Sequence, residues 1–175
     1  DASRTQEMQG HFTEFAVALH RQGFAVLMIE LRGHGQSDRG PLTFGVRERL
    51  DVLGGVDWLH QRGFASGRIG VLGVSMGAAS SLGAMATDSG AEPLIGAVVA
   101  DCSFADFESL VRFQWSRVTG LPDSFVWPAL WLAQRVSGAD FRSARPIITC
   151  WARMFQRPGA WSSASKSQRR WRAPS

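Results

Sequence analysis

Gly73-Val74-Ser75-Met76-Gly77 is the run whose residue types and spacing suit covalent chemistry. A hydroxyl is a weak nucleophile until a base takes its proton and the backbone exposes it. Gly-x-Ser-x-Gly between a strand and a helix supplies that exposure. The serine occupies a strained strand-to-helix turn, and its neighbours stay nearly free of side chains so that strand and helix can approach. Ala78, Ala79 and Ser80 keep the following helix face small. The same turn aims the first peptide N–H groups of the helix at the reacting centre. The Met76 N–H is therefore the expected oxyanion donor, aided by the positive end of the helix. The chemistry expected of such a turn is acyl transfer through Ser75.

The elements around the motif follow from apolar spacing. Met8, Phe12, Phe15, Ala16 and Leu19 mark one face of a helix that Gly23 ends. Residues 24–31 are an almost unbroken apolar run of strand length, which predicts a strand covered on both faces. After the loop Arg32-Gly33-His34-Gly35-Gln36-Ser37-Asp38, a helix is predicted over 43–62, with Val46, Leu50, Leu53 and Val56 inward and Gly63 closing it. Residues 68–74 read as a buried strand, 75–85 as a small-residue helix and 94–100 as a further strand. This alternation predicts an α/β fold, a partial doubly wound parallel sheet flanked by helices. Phe104, Phe107, Phe113, Trp115, Phe125, Trp127 and Trp131 then crowd a segment read as two helices broken near Gly120 and Pro122, the second over 123–136. Two readings of that segment stand: a helix pair covering the core, or a cap (about 103–140) lining an apolar substrate pocket.

The run from Arg68 through Gly77, preceded by Gly23 through Asp38 with its Arg-Gly-His-Gly loop, resembles the α/β-hydrolase superfamily, nearest its bacterial serine aminopeptidase and carboxylesterase members. The resemblance covers about residues 3–146. It implies a Ser–Asp–His triad acting on a small-molecule ester, thioester or amide through an acyl-enzyme, with no metal or organic cofactor. Ser75 matches the family nucleophile and Met76 the oxyanion donor. The second donor loop, and an acid and histidine following later strands, have no counterpart, which implies a chain truncated at both ends. No triad histidine is found: His11, His20, His34 and His60 all precede Ser75. His34 reads as ordering its glycine-rich loop, with a replacement base as the alternative. His11, His20 and His60 read as solvated or packing residues. Asp101, just past the third strand, is the candidate acid, with a structural use as the alternative.

Charge divides the chain. Residues 1–140 hold all 15 acids against 11 bases, whereas 141–175 hold eight bases and no acid. The domain is therefore expected over 1–146, and 147–175 is a basic, irregular tail. The tail is read as the product of a shifted reading frame, with a genuine anion-binding tail as the alternative; Trp151, Trp161 and Trp171 among arginines could stack on bases. A nucleic-acid partner is the lesser reading. Cys102 and Cys150 cannot build a disulfide framework. No signal peptide or membrane span is visible, which favours a cytoplasmic location. A nucleotide fold fits poorly, because Asp38 stands where the third glycine of a dinucleotide loop belongs and the only lysine is Lys166. The sequence thus predicts a serine hydrolase impaired by its incomplete triad, the alternative being a non-catalytic remnant or binding module with a basic tail.

Overall fold

The computed structural model describes residues 2–88 and 92–147, with side chains from residue 12 onward. The chain forms two compact units, one through Glu30 and one from Leu31. The tail expected from 147 onward lies, after Ile147, outside the described residues.

The first unit contains α1 (Ala2–Arg21), which ends on His20 and Arg21. These bases suit the negative end of the helix dipole. Gly23 takes φ 89°, and the N–H groups of Gln22 and Phe24 both donate to the Leu19 carbonyl. This is the helix stop that the glycine predicted. The run after it departs from expectation. Residues 24–30 form no strand, and Phe24, Val26, Leu27, Met28 and Ile29 are exposed. A strand exists only where a neighbour accepts its backbone hydrogen bonds, and the one ladder among the described residues joins two other segments.

In the second unit, α2 (Glu48–Gln61) begins five residues later than predicted. Residues 44–47 are turns because Glu48 draws them together. Its carboxylate is fully buried (0% exposed) and accepts from the Thr43 N–H at 2.6 Å, the Thr43 hydroxyl at 2.7 Å and the Gly45 N–H at 2.8 Å. Val52 and Val56 face inward with Leu53 partly buried, whereas Leu50, expected inward, is exposed on the side of the helix away from Val52. Gly63 closes the helix at φ 91°.

Next come β1 (Ile69–Val74), α3 (Met76–Thr87) and β2 (Ile95–Asp101). The strands are parallel, with Leu72 opposite Val99 and Val74 opposite Asp101. Parallel neighbours need a crossover between them, and α3 is that crossover. Its small buried side chains, Ala78, Ala79, Ser80, Ser81 and Ala84, allow close packing on the strands. The Ser80 and Ser81 hydroxyls donate to the carbonyls one turn back, at 2.8 and 2.7 Å, so neither is an unsatisfied polar group. Val52, Val56, Ile69, Ala84 and Ile95 form the main core. Covering of both sheet faces was expected, but Leu72 and Val99 are exposed within this unit. The fold is thus α/β, with five α-helices and a two-stranded parallel sheet among the described residues.

The aromatic segment divides. Phe107 is buried with Ala139, Phe141 and Ala144 in a second core, and the Phe44 ring stacks on it at 4.2 Å. Its helices are α4 (Phe107–Thr119), capped by Asp106 and stopped by Gly120 at φ 69°, and α5 (Val126–Ser137), stopped by Gly138 at φ 63°. A 3₁₀ turn at Asp123–Phe125 joins them, so the predicted break at Gly120 and Pro122 is observed. Phe113, Phe125, Trp127 and Trp131 instead point to solvent.

Burial pushes the Glu48 carboxyl up, but the bonds donated by Thr43 and Gly45 outweigh it and hold the group below the ordinary carboxylate range. A depressed folded-state value means that Glu48 stabilises the fold above the ordinary carboxylate range, and the contribution disappears as pH falls through the folded-state value. Glu48→Gln should cost about 1–3 kcal/mol at neutral pH, since an amide NH₂ then faces buried donors. Urea unfolding at neutral and acidic pH should show a smaller pH dependence in the variant than in the parent; equal slopes would refute the assignment.

Candidate functional site

The site is built where β1 runs into α3. Ser75 is the residue between them and has φ 54° and ψ −114°. Positive φ is costly for any residue with a Cβ, about 1–3 kcal/mol when the backbone is held in a sparsely populated region. Gly73 explains how the chain turns there. A Cβ on Gly73 would collide with the Gly77 carbonyl oxygen, and would stand 2.5 Å from the Gly77 carbonyl carbon and 2.7 Å from the Ala78 nitrogen. The helix backbone thus passes directly over the end of the strand. The Ser75 N–H donates to the Asp101 carbonyl at 2.8 Å and its carbonyl accepts from Ala79 at 3.1 Å, so the residue finishes the ladder and starts the helix.

The Ser75 side chain is exposed and makes no capping bond to the helix that it precedes. Its oxygen is therefore not consumed by the helix start, as it commonly would be for an N-cap serine. The first N–H groups of α3, beginning with Met76, have no partner within the helix. A hydroxyl and a peptide N–H thus share one turn at the positive end of a helix, an arrangement suited to attack on a carbonyl and to stabilising the resulting oxyanion.

Asp101, expected just past a strand over 94–100, is instead the last residue of β2, opposite Val74 and beside this turn. Its carboxylate is exposed, and the Cys102 thiol donates to Oδ1 at 3.3 Å. That bond raises the thiol above its ordinary range, so Cys102 stays a protonated, weakly nucleophilic neighbour at neutral pH. Cys102 itself has φ 53°. Two of the three non-glycine residues with positive φ among the described residues, Ser75 and Cys102, therefore lie at neighbouring strand ends. Local strain of this kind clusters at functional sites. Nothing in the sequence marked Cys102 as strained, because a cysteine carries no left-handed signature.

Among the described residues, no histidine side chain is hydrogen-bonded to Ser75 or Asp101. His34 Nδ1 lies 3.1 Å from the Arg32 carbonyl, inside a loop closed by Gly33 N–H on the Asp38 carbonyl. His60 and His20 make the same kind of local contact, with the Phe64 and Phe24 carbonyls. The His11 side chain lies outside the described residues. No group of three His, Cys, Asp or Glu among the described residues could hold a metal, and no helix there is long and apolar enough to cross a membrane.

The Arg32 loop is tied down by a feature that sequence reading missed. Asp51 on α2 accepts from Arg32 Nε at 2.9 and 3.1 Å and from the Arg32 N–H at 3.0 Å. The hydrogen bonds from Arg32 hold the Asp51 carboxyl below its usual range. Two acids three residues apart at an apolar helix start, Glu48 and Asp51, were the available signal. Both turn back to the preceding loops.

The chain matches the X-Pro dipeptidyl-peptidase (S15 family) over residues 2–167. It belongs to that family, a serine hydrolase family of the α/β-hydrolase superfamily. It is also 35% identical over 114 residues to the uncharacterized protein YqkD of Bacillus subtilis (strain 168), a match covering 63% of this chain. The chain spans about a third (35%) of the length of that relative. No solved structure matches it.

The two motif glycines should differ in tolerance. Gly73→Ala forces backbone apart and should destabilise the fold by about 2 kcal/mol or more. A Cβ on Gly77 meets nothing within 4 Å beyond its own helix, so Gly77→Ala should be neutral or stabilise by up to about 1 kcal/mol. Thermal melts of both variants test this, and equal losses would contradict the steric account.

Proposed function

We propose that this chain carries the nucleophile of a serine hydrolase that cleaves a carboxylic ester, thioester or amide, peptide bonds included. The Ser75 oxygen attacks the substrate carbonyl carbon while its proton passes to a base. The carbonyl oxygen, now anionic, accepts from the Met76 N–H. Collapse expels the leaving alcohol, thiol or amine and leaves an acyl group on Ser75, which water then removes. The observation that carries this reading is the exposed, uncapped Ser75 hydroxyl on a positive-φ strand-to-helix turn. Family membership agrees with it: the S15 name specifies peptidases. A doubly wound sheet, completed by further strands beside β1 and β2, is the architecture in which we place this turn.

Asp101 is the proposed acid. In a complete triad it would orient a histidine, and no histidine among the described residues is hydrogen-bonded to Ser75 or to Asp101. That observation favours a second reading, a non-catalytic remnant. If the first reading holds, Ser75 in this chain reacts slowly, at the residual rate that an oxyanion donor supports without its base.

A fluorophosphonate probe distinguishes the two, because it phosphonylates an activated serine irreversibly. Labelling should fall on Ser75, vanish in Ser75→Ala, and change little in Asp101→Asn, since no histidine among the described residues is bonded to Asp101. Mass spectrometry of the labelled peptide reads the outcome. Labelling of Ser75 no faster than that of an ordinary exposed serine would support the remnant reading instead.

A further inference from the structure

Arg49 on α2 carries a donor that the fold leaves unused. Its Nε–H is buried and meets no acceptor among the described residues. Buried polar groups are nearly always paired, so each exception calls for a cause. An arginine cannot shed its charge to relieve the cost, because the guanidinium stays protonated. The side chain is also confined. Gly83 of α3 faces its stem, and a Cβ added at Gly83 would stand 3.4 Å from the Arg49 Cβ and 3.5 Å from its Cδ.

Beside this side chain the second unit leaves a small cavity. Gly45 of the turn before α2, Gly83 of α3, and Ser143 and Pro146 after α5 form walls, and Arg145 lines it together with Arg49. It measures about 20 Å³, and about 10–15 Å³ is enough for one water-sized group. The space therefore admits the end group of a ligand rather than a whole molecule. Two arginines line it and no acid does. The carboxylates nearest in sequence are bonded elsewhere. Glu48 accepts from Thr43 and Gly45, Asp51 from Arg32, and Asp140 from the Arg142 N–H. Residues 148–175 contain no Asp or Glu that could fill it.

We propose that this cavity binds a carboxylate group, held by Arg49 and Arg145. The Nε–H and an adjacent Nη–H of a guanidinium form a planar fork that matches the two oxygens of a carboxylate. A spherical halide has no second atom for the fork. The bound group joins α2 and α3 to the 143–146 segment, so occupancy stabilises the fold. Gly83 lies eight residues after Ser75, about 12 Å along the helix axis, so the site is separate from the nucleophile.

Thermal melts of the full chain at constant ionic strength test this with sodium acetate, sodium chloride and acetyl-aspartyl amide. Acetate should raise Tm by about 3–5 °C once it exceeds its Kd about tenfold, and chloride should not. A rise with acetyl-aspartyl amide as well assigns the group to an acidic side chain of a peptide or protein. A rise with acetate alone assigns it to a free acid. Arg49→Met keeps the stem and removes the donors. Without acetate it should melt no lower than the parent, since an unpaired buried N–H is lost, and acetate should not stabilise it. Arg145→Gln should weaken acetate binding by up to about fivefold, the loss of one exposed charge. A parent that acetate stabilises no more than chloride does, as a resident water would predict, overturns the proposal. So does an Arg49→Met variant that still responds, or one that melts well below the parent in acetate-free buffer.

Discussion

The passage of the α3 backbone over Gly73 is the constraint on which the site depends. Because the Gly77 carbonyl occupies the space that a side chain at position 73 would need, the helix can begin immediately after the strand ends. A helix that begins there puts Ser75 at positive φ and leaves its hydroxyl outside the hydrogen bonding of the first turn. The cost of that conformation is met by packing elsewhere. The small side chains of α3 lie against β1 and β2, and the Ser75 N–H completes the ladder on the Asp101 carbonyl. Strain at one residue persists because the neighbouring contacts over-determine it.

Two carboxylates do comparable work for the surrounding loops. Glu48 gathers Thr43 and Gly45, which brings the 43–47 turn against the first turns of α3: a Cβ on Gly45 would stand 3.4 Å from Ala79 and from Ser80. Asp51, one helical turn on, holds Arg32 and so the start of the glycine-rich loop. A fully desolvated carboxylate is costly unless its lone pairs are filled, and Glu48 has three donors. The helix start at Glu48, rather than at Thr43, follows from that geometry: residues 43–47 satisfy the carboxylate in place of forming a helical turn.

How much of this was legible in the sequence depends on how local the cause was. Gly23, Gly63 and the break at Gly120 and Pro122 act within a few residues, and each marks a stop where expected. The parallel pair at 69–74 and 95–101 and the small-residue helix between them were also readable, since one βαβ unit lies within a short stretch of chain. Residues 24–30 show the limit of pattern alone. Apolar composition states that a segment can be a strand, but the strand is made by its neighbour's backbone, and that neighbour is not encoded in the segment. The strand-to-helix turn at Ser75 followed the same division: it was legible because it is a local steric device, as was the end of the next strand near Asp101. The Arg32–Asp51 pair and the strained Cys102 arise from tertiary contacts between segments that carry no shared motif.

The aromatic segment makes the division sharper. The sequence treated its rings as one population, to be assigned together to a core or to a pocket. Phe107 stacks on Phe44 and is buried, while Trp127 and Trp131 one helix later are exposed beside arginines. What separates them is context, not residue type. Phe107 opens a helix whose cap, Asp106, and whose first N–H, bonded to the Ala144 carbonyl at 3.0 Å, fix its ring against Phe141. The α5 tryptophans fall outside the side of their helix on which Val126 and Leu130 turn inward, and are left exposed.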